Sequence, residues 1–280
     1  MHILVTGAQG QLGREVVRRL NAIRIPCTGV DLADFDLTDA EAVMAAVSAC
    51  RPDAIIHCAA YQDIERAETE PEVCCRVNGM GTLNLVRAAL HVDAKLLYVS
   101  TACVFPAGDT AYETDSLRRP ESIFGQSKLQ GEEAIASLMT RYFIVRTSWL
   151  YGTGETDLAR TLLRQGAERR EIPVAQDRFG SPTCTVDLAA LLCEMVQTNR
   201  FGVYHAAAGG YCSAVDFARA LMSAAGRKCR IRPVVTAGTP AALRRICAPR
   251  LSTASLEAAG FNCLPDWEDS LKRFVAEALL

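Results

Sequence analysis

The most restrictive feature of this sequence is a regular alternation of short apolar runs and helical segments that starts at the first residues. Apolar runs rich in β-branched residues recur at 2–6, 25–31, 53–58, 95–100 and 142–148. Segments with helical periodicity separate them at 11–22, 39–49, 71–91 and 127–138. Strands that alternate with helices at this spacing form a parallel sheet covered on both faces. The sequence therefore predicts an α/β protein with a doubly wound parallel sheet.

The alternation loosens after position 152, which divides the chain into two predicted parts. We expect residues 1–152 to form the doubly wound domain and residues 153–280 to form mainly a smaller C-terminal substrate lobe. A short predicted strand at 202–206, within a segment near 183–208, returns to the main sheet. The two parts are thus predicted to interleave and to enclose a cleft.

Composition excludes several classes of function. Thirty Lys and Arg residues balance 32 Asp and Glu residues, and a net charge of −2 offers no basic field for nucleic acid. No run approaches the ~18 apolar residues of a membrane span, and the first residues enter a strand directly, which predicts a cytoplasmic location without membrane contact. The 12 cysteines lack metal-ligand spacing, so no metal site is expected. His57 and His205 lie in apolar strands and are expected to be core residues.

A glycine-rich turn follows the first predicted strand and opens a helix. In VTGAQGQLG, Gly7, Gly10 and Gly13 have the spacing GxxGxxG. Glycines here let the backbone approach a pyrophosphate, whose charge is met by the amides and positive dipole at the helix start. In a strand–turn–helix context this spacing predicts a Rossmann-type dinucleotide site. A turn required only for helix–strand packing is the alternative.

An acidic residue ends the second predicted strand. Asp31 lies about 20 residues beyond the glycine turn, where a carboxylate can accept hydrogen bonds from the adenosine ribose. A carboxylate there repels a 2′-phosphate, and the next residue, Leu32, offers no positive charge to receive one. NAD is therefore favoured over NADP, although both remain candidate cofactors.

Several longer motifs occur in register along the chain. They are VTGAQGQLG (5–13), DLTD (36–39), RPDAIIHCAAY (51–61), ERAETEP (65–71), VSTACVF (99–105), FGQSKLQGE (124–132), VRTSWLYG (145–152), DRFGSPT (177–183) and APR (248–250). With these motifs the sequence resembles the extended short-chain dehydrogenase/reductases, and within them the dTDP-4-dehydrorhamnose reductase family. The resemblance implies an NAD(P)-dependent oxidoreductase that reduces a nucleotide-linked 4-keto-6-deoxy sugar in rhamnose biosynthesis.

The resemblance also implies a set of site residues. The implied cofactor-binding residues are Gly7, Gly10, Gln11, Leu12 and Gly13 in the turn, Asp31 at the ribose, Asp36 and Leu37 near the adenine, Ala59, Ala60 and Tyr61 beside the phosphates and ribose, and Lys128 on the nicotinamide ribose. The implied catalytic residues are Thr101 and Lys128. The implied substrate-binding residues are Val104, Trp149 and Arg250.

One catalytic position departs from the family pattern. The family carries a Tyr-x-x-x-Lys pair on the helix after the fourth strand, and Phe124 stands here four residues before Lys128. An ammonium beside a phenol would favour the phenolate, and Phe cannot carry that proton. Losing a positioned general acid typically costs ~10²–10⁴-fold in rate. Tyr112 and Cys103 are candidate substitute donors, each with packing as its alternative role.

Other departures concern the predicted substrate half. The family's Thr-Asp-Tyr after the fourth strand reads Thr-Ala-Cys at 101–103, Asp157 replaces the usual Asn, and only the first and last positions of a seven-residue element survive at 250–256. Arg244, Arg245 and Arg250 form a basic cluster that could meet a sugar-nucleotide pyrophosphate or belong to a solvated helix face.

Two functions remain open at this point. One is a reductase whose turnover is impaired because Phe124 replaces Tyr, with water or another side chain as proton donor. The other is a non-catalytic NAD(P)-binding regulatory subunit. Either could form a homodimer, by analogy with the family.

Overall fold

The computed structural model describes residues 1–108, 110–152, 154, 157–235 and 249–278. In chain order the strands are β1 (Ile3–Thr6), β2 (Cys27–Val30), β3 (Ala54–His57), β4 (Lys95–Thr101), β5 (Tyr142–Thr147), β6 (Leu150–Tyr151), β7 (Glu171–Ala175), β8 (Phe179–Gly180), β9 (Thr183–Cys184), β10 (Gly202–His205), β11 (Cys212–Ser213) and β12 (Arg230–Val234).

The helices of the described residues lie between or after these strands. They are α1 (Gln11–Ala22), α2 (Ala40–Cys50), α3 (Ile64–Thr69), α4 (Pro71–Cys75), α5 (Gly81–His91), α6 (Ile123–Leu138), α7 (Leu158–Glu168), α8 (Thr185–Val196), α9 (Ala214–Ala224), α10 (Ala254–Ala258) and α11 (Trp267–Ala278). A π-helical turn, Arg76–Met80, joins α4 to α5, and a 3₁₀ turn, Ala102–Val104, follows β4.

The main sheet has six parallel strands in the order β2–β1–β3–β4–β5–β10. The direction of winding reverses between β1 and β3, since the chain places β2 on one side of β1 and the later strands on the other. In such sheets ligands bind outside the carboxyl ends of the strands at this switch point. The predicted doubly wound sheet is confirmed, and the predicted strand at 202–206 joins it as β10.

Apolar clusters cover both faces of this sheet. One face packs against α1 and α8, with Val16, Leu20 and Leu192 fully buried. The opposite face packs against α2, α5 and α6, with Leu85 and Ile135 fully buried. Because both faces are covered, the strands are almost continuously apolar, as the sequence shows.

A further apolar cluster lies beyond the main sheet. Buried side chains of α7, α9 and α11, among them Phe217 and Phe274, surround Tyr151. Three short strand pairs lie beside this cluster, namely β7 with β12, β6 with β9, and β8 with β11. The assignment of residues 153–280 mainly to a substrate lobe stays a prediction.

The two strand histidines are buried and hydrogen-bonded at both ring nitrogens. His57 contacts Thr6 Oγ1 at 2.7 Å and Thr82 Oγ1 at 3.1 Å. His205 contacts Arg146 Nη1 at 3.2 Å and the Ser252 carbonyl at 3.1 Å. Burial lowers the pKa of His57 to about 3 and that of His205 to about 4, so both rings are neutral. They are core residues, as predicted.

Within the described ranges, no helix combines the length and apolar character needed to cross a membrane. In the same ranges no group of three or more His, Cys, Asp or Glu side chains could hold a metal ion.

Candidate active site

A cavity of about 1040 Å³ lies at the carboxyl ends of the main strands, beside the switch point. Its wall includes all of the residues predicted for the cofactor and for catalysis. They are Gly7, Gly10, Gln11, Leu12, Gly13, Asp31, Asp36, Leu37, Ala59, Ala60, Tyr61, Thr101, Phe124 and Lys128, together with Trp149 of the predicted substrate set. The fold therefore brings residues from distant parts of the sequence into one cleft.

The backbone of the glycine turn leaves no space for a Cβ atom at Gly7 or Gly13. Gly7 has φ +68°, and a Cβ there would lie 2.6 Å from the Ala59 nitrogen. A Cβ on Gly13 would overlap the Gly7 carbonyl oxygen, to which the Gly10 N–H donates at 3.0 Å. No described side chain caps the first turn of α1 after Gly10. The amides of that turn are therefore available to an anion in the cavity.

Asp31 is held firmly at the end of β2. Its Oδ2 accepts from the Gln9 N–H at 2.8 Å and its Oδ1 accepts from the Leu32 N–H at 2.9 Å. Its own N–H donates to Asp34 Oδ2 at 2.8 Å. Asp36 lines the cavity close by in sequence. This end of the cleft is acidic, with a carboxylate oriented by the glycine turn itself.

A buried asparagine holds the loop after β3. Asn78, in the π-helical turn, accepts from the Tyr61 N–H at 2.8 Å and donates to the Tyr61 carbonyl at 3.0 Å. It also donates to Ser127 Oγ of α6 at 2.9 Å. The loop carrying Ala59–Tyr61 is thereby tied to the helix that carries Lys128. Sequence reasoning missed Asn78, because its role depends on a helical bulge that periodicity does not reveal.

Helix α6 presents Phe124 and Lys128 to the cavity. The helix begins at Ile123, where Ser122 Oγ accepts from the Gly125 N–H at 3.1 Å. Lys128 is 3% exposed, and its ammonium nitrogen lies 4.0 Å from the centroid of the Tyr98 ring. Burial lowers the pKa of Lys128 to about 7, and the neighbouring Glu132 opposes that shift. The lysine can therefore lose its charge near neutral pH.

Thr101 is placed to donate a hydrogen bond. Its Oγ1 accepts from the Cys103 N–H at 3.1 Å, which leaves the hydroxyl proton available to a ligand. Cys103 also lines the cavity, but burial raises the pKa of its thiol. Tyr112 lies elsewhere: its ring stacks on Phe105 with centroids 4.7 Å apart, and it is absent from the described cavity wall. Neither candidate substitute is placed as a good acid.

Two hydroxyls at the end of β5 were missed by the sequence analysis. Thr147 and Ser148 line the cavity, are 5% and 3% exposed, and have no hydrogen-bond partner among the described residues. Buried polar groups are normally paired, so these hydroxyls indicate a polar ligand or water in the cleft. The next residue, Trp149, has φ +44°, a left-handed backbone that is costly for a bulky residue and is often found at functional sites.

The other two predicted substrate-binding residues, Val104 and Arg250, do not line the described cavity. Val104 is fully buried, in an apolar cluster that includes Phe105 and Leu251. Arg250 is exposed, with its guanidinium carbon 4.7 Å from the centroid of the Tyr211 ring. Arg244 and Arg245 lie outside the described residues.

Asp157, the departure from the family Asn, connects the two sides of the cleft. It is 1% exposed and accepts from the Arg160 N–H at the start of α7 at 3.1 Å. Gln11 Nε2, from the first turn of α1, approaches its Oδ2 at 3.5 Å. Burial raises the pKa of this carboxyl.

Comparisons with known proteins extend over the whole chain. A family model described as RmlD substrate binding domain matches residues 1–280. The dTDP-4-dehydrorhamnose reductase of Mycolicibacterium smegmatis is 37% identical over 279 residues, which cover 98% of this chain and 85% of that protein. The Escherichia coli enzyme of the same name is 32% identical over 294 residues, covering 99% and 98%. The crystal structure of the Bacillus anthracis dTDP-4-dehydrorhamnose reductase in complex with NADP is 37% identical, covers 99% of both chains and superposes with a TM-score of 0.94.

Proposed function

This chain belongs to the RmlD substrate binding domain family, and we propose that it reduces the 4-keto group of a dTDP-linked 6-deoxy sugar with a nicotinamide dinucleotide. The observation that carries the proposal is the shared cavity, in which the glycine turn and Asp31 meet Thr101 and Lys128. Relatives that cover almost the whole chain bear the name of this reductase.

The residues at the cofactor end fit a dinucleotide. The space above Gly7 and Gly13 admits no Cβ, so the backbone can approach a diphosphate closely, and the uncapped amides of α1 face it. When bound, the nicotinamide supplies the hydride. Lys128 would hold the adjoining ribose.

We propose that NAD(H) is preferred over NADP(H). Asp31 is fixed by two backbone N–H groups at the ribose position, and Asp34 and Asp36 add negative charge nearby. The described cations of the cavity wall, Lys128 and Arg178, do not belong to the β2 loop. The Bacillus anthracis relative holds NADP, so this preference would be a property of the present chain.

At the reacting carbonyl the chain offers one donor and one cation. Thr101 donates a hydrogen bond to the sugar carbonyl oxygen and stabilises the charge that develops there. The Lys128 ammonium adds positive charge in a site of low polarity, where it has a larger effect than in water. Phe124 has no exchangeable proton, Cys103 is a weak acid and Tyr112 does not line the described cavity. Water or another side chain of the cavity wall therefore delivers the proton.

Phe124 also favours a second candidate function. A chain that keeps the dinucleotide site and lacks the phenol could act as a non-catalytic NAD(P)-binding regulatory subunit. Cytoplasmic location and a homodimer remain predictions for either function.

A single assay separates the two candidates. The purified protein is incubated with NADH and a dTDP-4-keto-6-deoxy sugar, and both the oxidation of NADH and the reduced sugar are measured. Stoichiometric formation of the two products supports the reductase. Tight NADH binding with no sugar reduced above background contradicts the reductase and supports the regulatory subunit.

A further inference from the structure

An ion pair crosses the mouth of the cavity. Arg178 Nη2 lies 3.2 Å from Glu65 Oε1, and both residues line the cavity wall. Glu65 belongs to α3, on the side of the cofactor-binding loops, whereas Arg178 directly precedes β8. The guanidinium is one-third exposed and the carboxylate two-thirds exposed, so this pair contributes little to stability. Both groups are accessible from the cleft.

The backbone fixes Arg178 at this place. The Ala214 N–H at the start of α9 donates to the Arg178 carbonyl at 2.8 Å. The next two residues pair in antiparallel fashion with Cys212 and Ser213. The arginine is therefore carried by a short sheet rather than by a free loop.

The cavity wall carries more acidic than basic side chains, although the proposed ligands are anionic. The described charged residues are the acids Asp31, Asp36, Asp63 and Glu65 and the bases Lys128 and Arg178. A dinucleotide and a nucleotide sugar each bring an anionic diphosphate. The amides at the start of α1 are available to bind the diphosphate of the cofactor. Lys128 is buried, with its ammonium over the Tyr98 ring. Arg178 is the cation of the described wall that remains for the second diphosphate.

An aromatic surface adjoins this arginine. Phe179 lines the cavity, is 39% exposed, and stacks at 13° on Tyr211 with centroids 6.4 Å apart. The Arg250 guanidinium lies over the same Tyr211 ring. A flat exposed ring beside a cation suits a nucleoside diphosphate, whose base can stack while its phosphates pair with the guanidinium.

We propose that Arg178 and Phe179 form the subsite for the nucleoside diphosphate of the sugar substrate. Arg178 exchanges Glu65 for the diphosphate, and Phe179 packs against the base. The proposal rests on the proposed function and assigns a specific anchor to the nucleotide part of the substrate.

The test measures binding of dTDP and of thymidine to the NADH-saturated protein by calorimetry. Because a charge-assisted pair to phosphate is lost, Arg178→Gln should weaken dTDP binding about tenfold or more and leave thymidine binding unchanged. The dissociation constant of Arg178→Lys for dTDP should lie between those of the wild type and of Arg178→Gln. Arg219→Gln is the control, because Arg219 is an exposed, ion-paired arginine of α9 that does not line the described cavity. It should leave the dissociation constants for dTDP and thymidine at their wild-type values.

Two further variants test the remaining parts of the subsite. Glu65→Gln removes the competing anion and should tighten dTDP binding about two- to fivefold. Phe179→Leu should weaken dTDP and thymidine by the same factor, because it acts on the base. Equal losses of dTDP and thymidine in Arg178→Gln, or a dTDP constant within twofold of wild type, would overturn the subsite.

The outcomes separate the subsite from the activity. If the wild-type protein reduces the dTDP-sugar while Arg178→Gln keeps its KM, the subsite is wrong and the reductase stands. If the wild-type protein binds NADH but neither binds dTDP nor reduces the sugar, both proposals are contradicted.

Discussion

Glu132 of α6 and Arg146 of β5 form a doubly hydrogen-bonded ion pair in the protein interior. Nε donates to Oε1 at 2.9 Å and Nη2 donates to Oε2 at 2.8 Å, with the two side chains 2% exposed or less. Ser100, the neighbour of Thr101, also donates to Glu132. The ion pair ties the helix of Phe124 and Lys128 to β5, and the Ser100 hydrogen bond ties the same helix to β4, the strand of Thr101. Together these contacts fix the predicted catalytic groups relative to one another.

Removing the arginine should destabilise the protein strongly. Arg146→Met removes the doubly hydrogen-bonded partner of the buried Glu132 carboxylate, which keeps the Ser100 hydrogen bond and a longer contact with Arg118 Nη1 at 3.4 Å. Breaking a buried ion pair typically costs about 3–5 kcal/mol in the free energy of unfolding. Urea unfolding measures this loss. Arg232→Met, which breaks the exposed pair with Glu171, should cost less than about 1 kcal/mol. An equally small loss in Arg146→Met would show that the buried pair does not hold the site together.

Restoring the family tyrosine should increase turnover. Phe124→Tyr places a phenol four residues before Lys128, whose ammonium favours the phenolate and makes proton transfer possible at neutral pH. We expect kcat for the dTDP-4-keto-6-deoxy sugar to rise about 10²-fold, with the dissociation constant for NADH unchanged. Phe124→Leu is the control and should not gain activity. Rapid turnover by the wild-type protein, with no gain in Phe124→Tyr, would contradict the claim that Phe124 limits turnover.

The charge of Lys128 should govern a pH dependence. Because the pKa of Lys128 is about 7, the ammonium form is lost as the pH rises above neutrality, and kcat/KM should fall there. Lys128→Met should have a low kcat/KM without this fall, and exposed Lys272→Met should keep the wild-type profile. A decline at the same pH in Lys128→Met would assign it to another group.

The same shift predicts the direction of a stability change. The folded-state pKa of Lys128, about 7, lies below the ordinary value of 10.5, so the unfolded chain binds more protons between these values. The penalty for burying the ammonium is complete below pH 7 and is relieved as the pH rises toward 10.5. The free energy of unfolding of the wild type should therefore increase across this window relative to that of Lys128→Met. A constant difference between the two proteins would contradict the burial of a charged lysine.

Asp31 should decide between the two cofactors. The wild-type protein is expected to bind NADH more tightly than NADPH, and Asp31→Asn should shift the ratio of the two dissociation constants about tenfold toward NADPH. Asp34→Asn removes a nearby charge that is not placed at the ribose and should change the ratio less. Tighter binding of NADPH by the wild type would overturn the preference.

Local patterns in the sequence were sufficient to predict the first strand, the glycine turn and helix α1, which line one end of the cavity. Helix α1 begins and ends at the predicted residues because Gly10 and the amphipathic repeat after it mark its start within the chain. Helix α6 begins four residues earlier than predicted, at Ile123, since the cap by Ser122 was overlooked. Asp31 was singled out because its distance from the glycine turn is itself a local signal. It lines the cavity, and its contact with the cofactor ribose stays a prediction.

The substrate half could not be predicted in the same way. Arg178 and Phe179 reach the cavity only because β8 pairs with β11 and faces α3, contacts between segments far apart in sequence. The sequence analysis proposed Arg250 as a substrate-binding residue instead. Its guanidinium lies over the Tyr211 ring, and it does not line the described cavity. Val104 was expected at the substrate from its motif, but its side chain belongs to the apolar cluster beneath the 3₁₀ turn.

Calorimetric titration of the wild-type protein with NADH, NADPH and their oxidised forms tests the central claim most directly. The account predicts saturable binding of one nicotinamide dinucleotide per chain, with NADH the tightest of the four. A folded protein that shows no affinity for any of them would contradict the assignment of the glycine turn, of Asp31 and of the cavity as a whole.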